Sequence, residues 1–164
     1  MKQLILVRHA KSSWDVPAHD DIARPLNPRG LRDAPQMGRR IANGPYQPEL
    51  IISSAAERAR NTAELIAHEL GYKQSAIKLE RNLYCFDDES LLQQIKQFDN
   101  SNQRILCVGH NPAITALVNQ LCGEHIDNVP TCGVCYLQFE SSRWADISTG
   151  MLINFDYPKK SAES

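Results

Sequence analysis

The sequence lacks an excess of charge of either sign. Its 18 lysine and arginine residues are balanced by 19 aspartate and glutamate residues, so the net charge is −1. Proteins that bind nucleic acid or anionic membranes usually carry a strongly basic surface, which this composition does not supply. We therefore expect no nucleic-acid partner.

The sequence also lacks a long apolar run. An apolar stretch near the N-terminus, residues 4–7, ends at Arg8, whereas a membrane-spanning helix needs about 20 apolar residues. The same stretch is too short for a secretory signal. We expect no membrane association and a cytoplasmic location.

Linkers, internal repeats and low-complexity tracts are missing from the chain of 164 residues. We predict a single domain over residues 1–157, which is long enough to bury an ordinary core. The polar residues 158–164 are predicted to form a frayed C-terminal tail.

The cysteine count is five, an odd number that favours free thiols over a disulfide framework in a chain without an export signal. Four potential zinc ligands lie within fourteen residues: Cys122, His125, Cys132 and Cys135. However, Cys135 lies in an apolar segment typical of a strand, and the chain has no second Cys-x-x-Cys pair. We interpret the cysteines as small hydrophobic residues and expect neither a metal nor a cofactor.

Three segments share one plan, in which a short apolar strand ends in polar residues. The first strand, residues 4–7, is followed directly by Arg8 and His9. Branched aliphatic runs of this length are typical of parallel strands buried on both faces. Polar groups at their carboxyl ends lie where open α/β sheets usually bind ligands.

The second segment covers residues 49–63 and contains a strand followed by serines and small residues. We expect Ser53 or Ser54 to cap a helix, with Arg58 one turn into it, as in many anion-binding corners. Taken alone, Arg58 would be interpreted as a solvated helix residue.

The third segment, residues 104–112, ends its strand at His110, and Asn111 with the following proline is expected to cap another helix. Parallel strands bring their carboxyl ends to one edge of a sheet. We therefore expect His9 and His110 to converge there with the arginines of the first two segments.

A long loop and a proline-containing helix follow the first strand. We expect the loop over residues 13–29 to form a wall of the site, because long loops in compact domains are usually functional or mobile. The helix is predicted from Pro28 to Ala42 with Asn27 as its N-cap. Pro35 should kink this helix or delay its start.

The C-terminal third is predicted to be β-structure, with strands over residues 133–139, 143–147 and 151–155. Short turns between them indicate antiparallel pairing at one side of the sheet. Before these strands, Asp87 is expected to cap a helix whose apolar stripe belongs to the core.

Two histidines and two arginines at one sheet edge suggest phosphoryl transfer. A neutral imidazole, with a pKa of about 6.5, is a nucleophile near neutral pH, and its attack would form a phosphohistidine intermediate. Guanidinium groups bind phosphoryl oxygens and offset charge in the transition state, so the arrangement needs no metal. Activity should fall at low pH as His9 becomes protonated.

Several motifs resemble the histidine phosphatase (phosphoglycerate-mutase-like) superfamily: Val7-Arg8-His9-Ala10, Arg58-Ala59 with Thr62-Ala63, and Gly109-His110-Asn111-Pro112. Further motifs are similar to those of its small phosphohistidine phosphatases: Lys11-Ser12-Ser13-Trp14, Arg24-Pro25-Leu26, Arg29-Gly30 and Val129-Pro130-Thr131. The resemblance spans nearly the whole chain. It implies an α/β fold, a three-layer α/β/α sandwich with a mostly parallel central sheet, to which the predicted hairpins add an antiparallel edge.

The resemblance also implies a role for each matching residue. His9 would be the nucleophile, and Arg8 and Arg58 would hold the phosphoryl group. His110 would donate a hydrogen bond as charge develops. The implied phosphate- or substrate-binding residues are Ser12, Arg24, Asn111 and Thr131.

A dedicated proton donor is harder to assign. Larger family members commonly have a glutamate general acid in an inserted segment; the comparable region here contains Asp87, Asp88 and Glu89, which fit a helix start better. An imidazole leaving group tolerates the lack of an acid. We therefore predict a metal-independent phosphohistidine phosphatase that acts on a phosphorylated protein. The resemblance implies a His-containing phosphotransfer domain as this partner.

Two alternatives stay open. One is a phosphatase of small phosphate esters or phosphoserine proteins, which recruitment of one of these three carboxylates would favour. The other is a non-catalytic phosphoprotein-binding module. The intact set of two histidines and two arginines argues against that module, because binding alone would tolerate loss of the nucleophile.

Overall fold

The computed structural model describes residues 1–15 and 18–160. The described residues form six strands: β1 (Lys2–Arg8), β2 (Leu50–Ser54), β3 (Lys78–Glu80), β4 (Arg104–Gly109), β5 (Val134–Phe139) and β6 (Met151–Asp156). The α-helices in the described residues are α1 (Pro28–Ala42), α2 (Glu57–Leu70), α3 (Asp88–Ile95) and α4 (Ala113–Cys122). Within these residues, no helix is long and apolar enough to cross a membrane.

The strands form one mixed sheet in the order β3-β2-β4-β1-β5-β6. Strands β3, β2, β4 and β1 are parallel to their neighbours in this order. Strand β5 pairs antiparallel with β1, and β6 pairs antiparallel with β5. The predicted mostly parallel sheet with an antiparallel edge is therefore confirmed.

Alternate residues of β1 face two separate core layers. Leu4 and Leu6 pack in the layer that contains the apolar residues of α3 and α4. Ile5 and Val7 pack in the layer formed with α1 and α2. Because all four side chains are fully buried, β1 is covered on both faces, as the apolar run predicts for a central parallel strand. The result is the expected three-layer sandwich.

The pairing of β1 with β4 places the two histidines side by side. Arg8 is opposite Gly109 at the last register position, and the N–H of His9 donates to the carbonyl of Gly109 at 3.1 Å. His9 and His110, each one residue beyond its strand, have ring centroids 5.2 Å apart. The convergence expected from parallel strand ends is present.

Helix α1 begins where the sequence predicts. Its N-cap Asn27 accepts a hydrogen bond from the N–H of Gly30 at 2.9 Å, and Pro28 is the first helical residue. The expected delay caused by Pro35 is wrong, because the helix continues through this residue. A proline removes only one N–H donor, while Ala34 and Met37 on either side are buried and hold the helix in place.

Helix α2 begins later than expected. Its first residue is Glu57, its N-cap is Ala56, and no side chain caps it. The predicted capping by Ser53 or Ser54 is wrong because both serines remain in β2. Gly71 ends the helix in the left-handed conformation (φ 68°).

The predicted strand over residues 143–147 is also wrong. Trp144–Asp146 form a single 3-10 turn, and the indole of Trp144 is buried while its Nε1 donates to the carbonyl of Asn102 at 2.9 Å. This anchoring fixes the segment against the core, and β6 takes the place beside β5. Core packing here outweighs a local strand pattern.

Two predictions concern less regular segments. Part of the expected loop, Ala18–Ala23, forms a 3-10 helix, whereas Pro17 lies outside the described residues. In the predicted frayed tail, residues 158–160 form a turn, and the carbonyl of Pro158 accepts a hydrogen bond from Arg40 at 3.3 Å. Residues 161–164 lie outside the described part of the chain.

Candidate active site

A cleft of about 230 Å³ lies at the carboxyl ends of β1 and β4. Its lining residues are Arg8, His9, Lys11, Ser12, Trp14, Asp21, Arg24, Arg58, Phe86, His110, Asn111 and Thr131. The cleft thus brings together the four predicted catalytic residues and the four predicted phosphate- or substrate-binding residues. It also contains a carboxylate that the sequence did not single out, Asp21.

Two contacts define the hydrogen position on the His9 ring. The Nδ1 atom lies 2.8 Å from the carbonyl oxygen of Ala10, which can only accept, so Nδ1 carries the proton. The Nε2 atom lies 3.4 Å from Nε of Arg58, which can only donate. His9 therefore presents the lone pair of Nε2.

The surroundings of His9 keep its imidazole neutral. Burial lowers the pKa of His9 to about 3, and the positive charges of Arg58, Arg8 and Arg24 act in the same direction against the raising effect of the Ala10 carbonyl. The loss of activity expected on protonation of His9 should therefore occur at a pH well below the ordinary pKa of an imidazole.

His110 is also neutral and is held from one side only. Its Nε2 lies 2.8 Å from the hydroxyl oxygen of Ser54, whereas its Nδ1 is buried without a partner among the described residues. Burial lowers the pKa of His110 to about 2, and His9 and Arg58 contribute in the same direction.

Arg8 contributes a second buried nitrogen that has no partner among the described residues. Its Nη1 donates to the carbonyl of Val129 at 2.9 Å, which fixes the guanidinium, but its Nε is buried without a partner among the described residues. Buried polar atoms are nearly always hydrogen-bonded in native proteins. Two such exceptions on Arg8 and His110, in one cleft, indicate a site shaped for an anion with several oxygens.

Arg58 is held by the loop that follows β1. It is only 3% exposed, and its Nη1 and Nη2 donate to the carbonyl and a carboxylate oxygen of Asp21 at 2.7 and 3.1 Å. The same carboxylate accepts from Nε of Arg24 at 2.9 Å and from the hydroxyl of Tyr84. Asp21 therefore fixes two arginines at the cleft.

Asp21 is ionised over the whole physiological range. Partial burial tends to raise its pKa, but hydrogen bonds from Tyr84, Arg24 and Arg58 and the charge of Arg58 outweigh this effect and lower the pKa to about 2. A carboxylate of this kind orients cations but has no proton to donate near neutral pH.

Two of the predicted phosphate- or substrate-binding residues, Ser12 and Asn111, form hydrogen bonds with other protein groups. Ser12 accepts from Nη1 of Arg24 at 2.9 Å. Asn111 donates to the carbonyl of Val129 at 3.0 Å and accepts from the N–H of Thr115 at 3.1 Å, so it joins the start of α4 to the cleft wall. Thr131 lines the cleft directly.

The predicted proton donors lie elsewhere. Asp87 is the N-cap of α3 and accepts from the N–H of Ser90 at 2.9 Å, as the cap interpretation predicts. Asp87 and Glu89 line a separate surface depression that includes Arg81, and Asp88 is part of α3. None of these three carboxylates is among the residues that line the His9 cleft.

Asp21, Tyr84 and Ser54 are the residues that sequence reasoning missed as site residues. Asp21 precedes Arg24 by three residues, a spacing that permits an ion pair within one helical turn and could have drawn attention to it. Tyr84 and Ser54 gave no local signal, because they act on residues 63 and 56 positions away.

Comparison with known proteins agrees with this geometry. A model of the histidine phosphatase superfamily (branch 1) matches residues 4–83, which include Arg8, His9 and Arg58. An uncharacterized protein of Mycobacterium tuberculosis is 31% identical over 167 residues, covering 93% of this chain and 100% of the relative. The chain belongs to the histidine phosphatase superfamily.

Two solved structures are similar to this chain over nearly its whole length. The protein provisionally assigned as the phosphohistidine phosphatase SixA of Agrobacterium tumefaciens has a TM-score of 0.80 and 29% identity, over 96% of this chain and 98% of that chain. A protein histidine phosphatase SixA complexed with tungstate has a TM-score of 0.77, over 95% of this chain and 97% of that chain. At 20% identity, the second comparison shows the fold alone.

The lowered pKa values of His9 and His110 predict how stability depends on pH. Below about pH 6.5 the unfolded chain binds protons on both rings, whereas the folded protein leaves them neutral until about pH 3 or lower. The free energy of unfolding should therefore fall as pH decreases from 6.5 to 4. Each ring contributes about 1.4 kcal/mol per pH unit once the unfolded imidazole is fully protonated.

Urea unfolding of the wild type and His9→Asn between pH 4 and 6.5 measures this effect. In the variant, the part of the pH dependence of the free energy of unfolding that comes from the two rings should fall by about half. His68→Asn, at an exposed position of α2, is the control for removal of an imidazole. An unchanged slope in His9→Asn would show that His9 titrates normally in the folded protein.

The contacts of Asp21 predict that its substitution affects phosphate binding and kcat differently. In Asp21→Asn, one negative charge leaves the cleft, so inorganic phosphate should bind at least as tightly, as measured by calorimetry. The turnover number kcat should fall about tenfold, because lost hydrogen bonds to a charged partner cost about 1.5 kcal/mol and Arg58 is no longer held.

The matched control is Asp87→Asn, which makes the same change at a helix cap outside the cleft. We expect its kcat and phosphate affinity to equal those of the wild type, since asparagine caps helices as well as aspartate. A larger fall of kcat in Asp87→Asn than in Asp21→Asn would contradict the assignment of Asp21 to the cleft and of Asp87 to a helix cap.

Proposed function

We propose that this protein is a phosphohistidine phosphatase that acts through a phosphorylated His9. The observation that carries the proposal is that the carboxylate in the cleft, Asp21, is ionised. Among the described residues that line the cleft, Asp21 is the one carboxylate, and its lowered pKa leaves it without a proton. The site therefore suits a leaving group that needs no strong acid.

The first step is attack by the lone pair of His9 Nε2 on the substrate phosphorus. The bond between phosphorus and the substrate imidazole nitrogen breaks, and its electron pair stays on that nitrogen. When the other ring nitrogen of the substrate already carries a proton before attack, the substrate imidazole leaves as a neutral molecule. An alkoxide would instead require a proton from the protein, which ionised Asp21 does not hold.

Charge in this step would be balanced by groups that already border the cleft. Arg8 and Arg58 supply guanidinium groups for the phosphoryl oxygens. The Nε of Arg8, which has no partner in the described part of the chain, is available to one of these oxygens. A neutral His110 with a proton on Nδ1 would add a further donor. Preformed donors of this kind stabilise developing negative charge without reorganisation.

The second step is hydrolysis of phospho-His9. After attack, the phosphoryl group is on Nε2 and the proton is on Nδ1, where the Ala10 carbonyl lies 2.8 Å away and accepts its hydrogen bond. Water attacks the phosphorus, the bond to Nε2 breaks, and its electron pair returns to Nε2. The ring leaves neutral in its starting tautomer, and inorganic phosphate carries away the protons of the water.

A phosphorylated protein is the substrate we infer for this site. The mouth of the cleft carries Trp14 and Phe86, which are 72% and 42% exposed, and the guanidinium of Arg24 lies 3.7 Å from the Trp14 ring. Exposed aromatic side chains beside a functional cleft are suited to contact with a protein surface. The likeness to a protein provisionally assigned as a phosphohistidine phosphatase supports phosphohistidine as the substrate group. A His-containing phosphotransfer domain is the phosphorylated protein that we propose as the partner.

A substrate panel tests the proposal. Phosphate release is measured from a folded phosphohistidine phosphotransfer domain, a phosphohistidine peptide of the same local sequence, a phosphoserine peptide and a sugar phosphate. We expect the highest kcat/KM for the folded domain, no effect of a chelator, and loss of activity in His9→Ala but not in His68→Ala.

Each departure from this pattern has a distinct meaning. Preference for an ester would replace the proposal with a general phosphatase. Equal rates for the folded domain and the peptide would retain phosphohistidine chemistry but contradict a protein-surface contribution. Absence of turnover with all four substrates, together with tight phosphate binding, would support a phosphoprotein-binding module.

A further inference from the structure

We propose that Ser54 is a positioning residue that holds His110 in the tautomer with its proton on Nδ1. Ser54 is the last residue of β2, and its side chain is completely buried. Its hydroxyl oxygen lies 2.8 Å from Nε2 of His110. This inference rests on the proposed function, because it explains how His110 could act as a donor to the phosphoryl group.

The direction of this hydrogen bond follows from the other contact of the hydroxyl. The Ser54 oxygen already accepts a hydrogen bond from the N–H of Ala56 at 3.2 Å. The hydroxyl has a single proton, and Nε2 of His110 is the acceptor that the structure places beside it. A buried hydroxyl proton without an acceptor is costly, so Ser54 donates to Nε2.

The state of the second ring nitrogen follows from the first. A neutral imidazole has one N–H and one acceptor nitrogen, so accepting at Nε2 places the proton on Nδ1. The Nδ1 atom of His110 is buried and has no partner among the described residues. An N–H left unpaired at the cleft is ready to donate to an anion, whereas a bare nitrogen there would repel one.

Ser54 connects His110 with the helix that carries Arg58, because its hydroxyl contacts both His110 and the N-cap of α2. Ala56, which donates to Ser54, is the N-cap of α2, and its carbonyl accepts from the N–H groups of Ala59 and Arg60 at 3.1 and 2.9 Å. Arg58 lies between Ala56 and Ala59, in the first turn of α2. One hydroxyl thus joins the end of β2, the start of α2 and the second histidine.

The direct test is a nitrogen-15 NMR measurement of His110 in the free wild-type protein at pH 7, with the signal assigned by comparison with His110→Asn. We expect a protonated Nδ1 and an acceptor-type Nε2. A proton on Nε2 would overturn the inference, and the tautomer itself is measured in the wild-type protein.

The effect on turnover is tested with two serine variants of the same strand. Ser54→Ala removes the donor, so the Nε2–H tautomer should become populated and kcat should fall at least about tenfold, with a smaller change in KM. Ser53→Ala is the matched control, because Ser53 is equally buried but its hydroxyl donates to the carbonyl of Ser54 at 2.9 Å. It should retain the His110 tautomer and kcat.

The outcomes separate this inference from the proposed function. Turnover of phosphohistidine with a proton on His110 Nε2 would overturn the role of Ser54 alone. A proton on Nδ1 without phosphohistidine turnover would overturn the proposed function alone. Equal tautomer populations in Ser54→Ala and the wild type would contradict the role of the hydroxyl, even if kcat falls.

Discussion

The parallel pairing of β1 with β4 is the constraint on which the rest of the site depends. Its register sets Arg8 opposite Gly109, and the hydrogen bond from His9 to Gly109 extends the pairing one residue beyond the strands. The two imidazoles are therefore neighbours because of backbone geometry. The buried apolar side chains of β1 supply the free energy that maintains this register, since a slip of one residue would exchange them between the two core layers and disrupt the packing of both.

Burial and positive charge together give these histidines their chemical character. An isolated imidazole would be partly protonated below pH 7, but both rings here are buried near arginines, and their pKa values fall to about 3 and about 2. Arg58 and Arg24 are held by Asp21, and Arg8 is held by the carbonyl of Val129. The cleft thus combines a neutral nucleophile with fixed positive charge, which a phosphoryl group requires.

The sequence predicted those parts of the site that follow from local pattern. Strands that end in Arg8 and His9 or in His110 have a clear signature, and parallel topology makes their convergence a consequence. The contacts of Asp21 and Ser54 could not be predicted in this way. Asp21 reaches Arg58 across 37 positions of sequence, and Ser54 reaches His110 across 56, so their partners depend on the complete fold.

The errors in predicted elements have the same origin. Residues 143–147 are predicted from the sequence to form a strand, yet the burial of Trp144 in the core decides their conformation. Ser53 and Ser54 are good helix caps in isolation, but the pairing of β2 with β4 and β3 keeps them in the strand. Tertiary contacts outweigh local preference at both places.

The central claim is that His9 accepts the phosphoryl group on Nε2. Rapid mixing with a radiolabelled phosphohistidine protein, followed by an alkaline quench and mass spectrometry, tests it most directly. The account predicts a label on His9 that forms before phosphate is released, with the Nε2 isomer identified by NMR. A label on another residue, or release of phosphate by His9→Ala at the wild-type rate, would contradict the account.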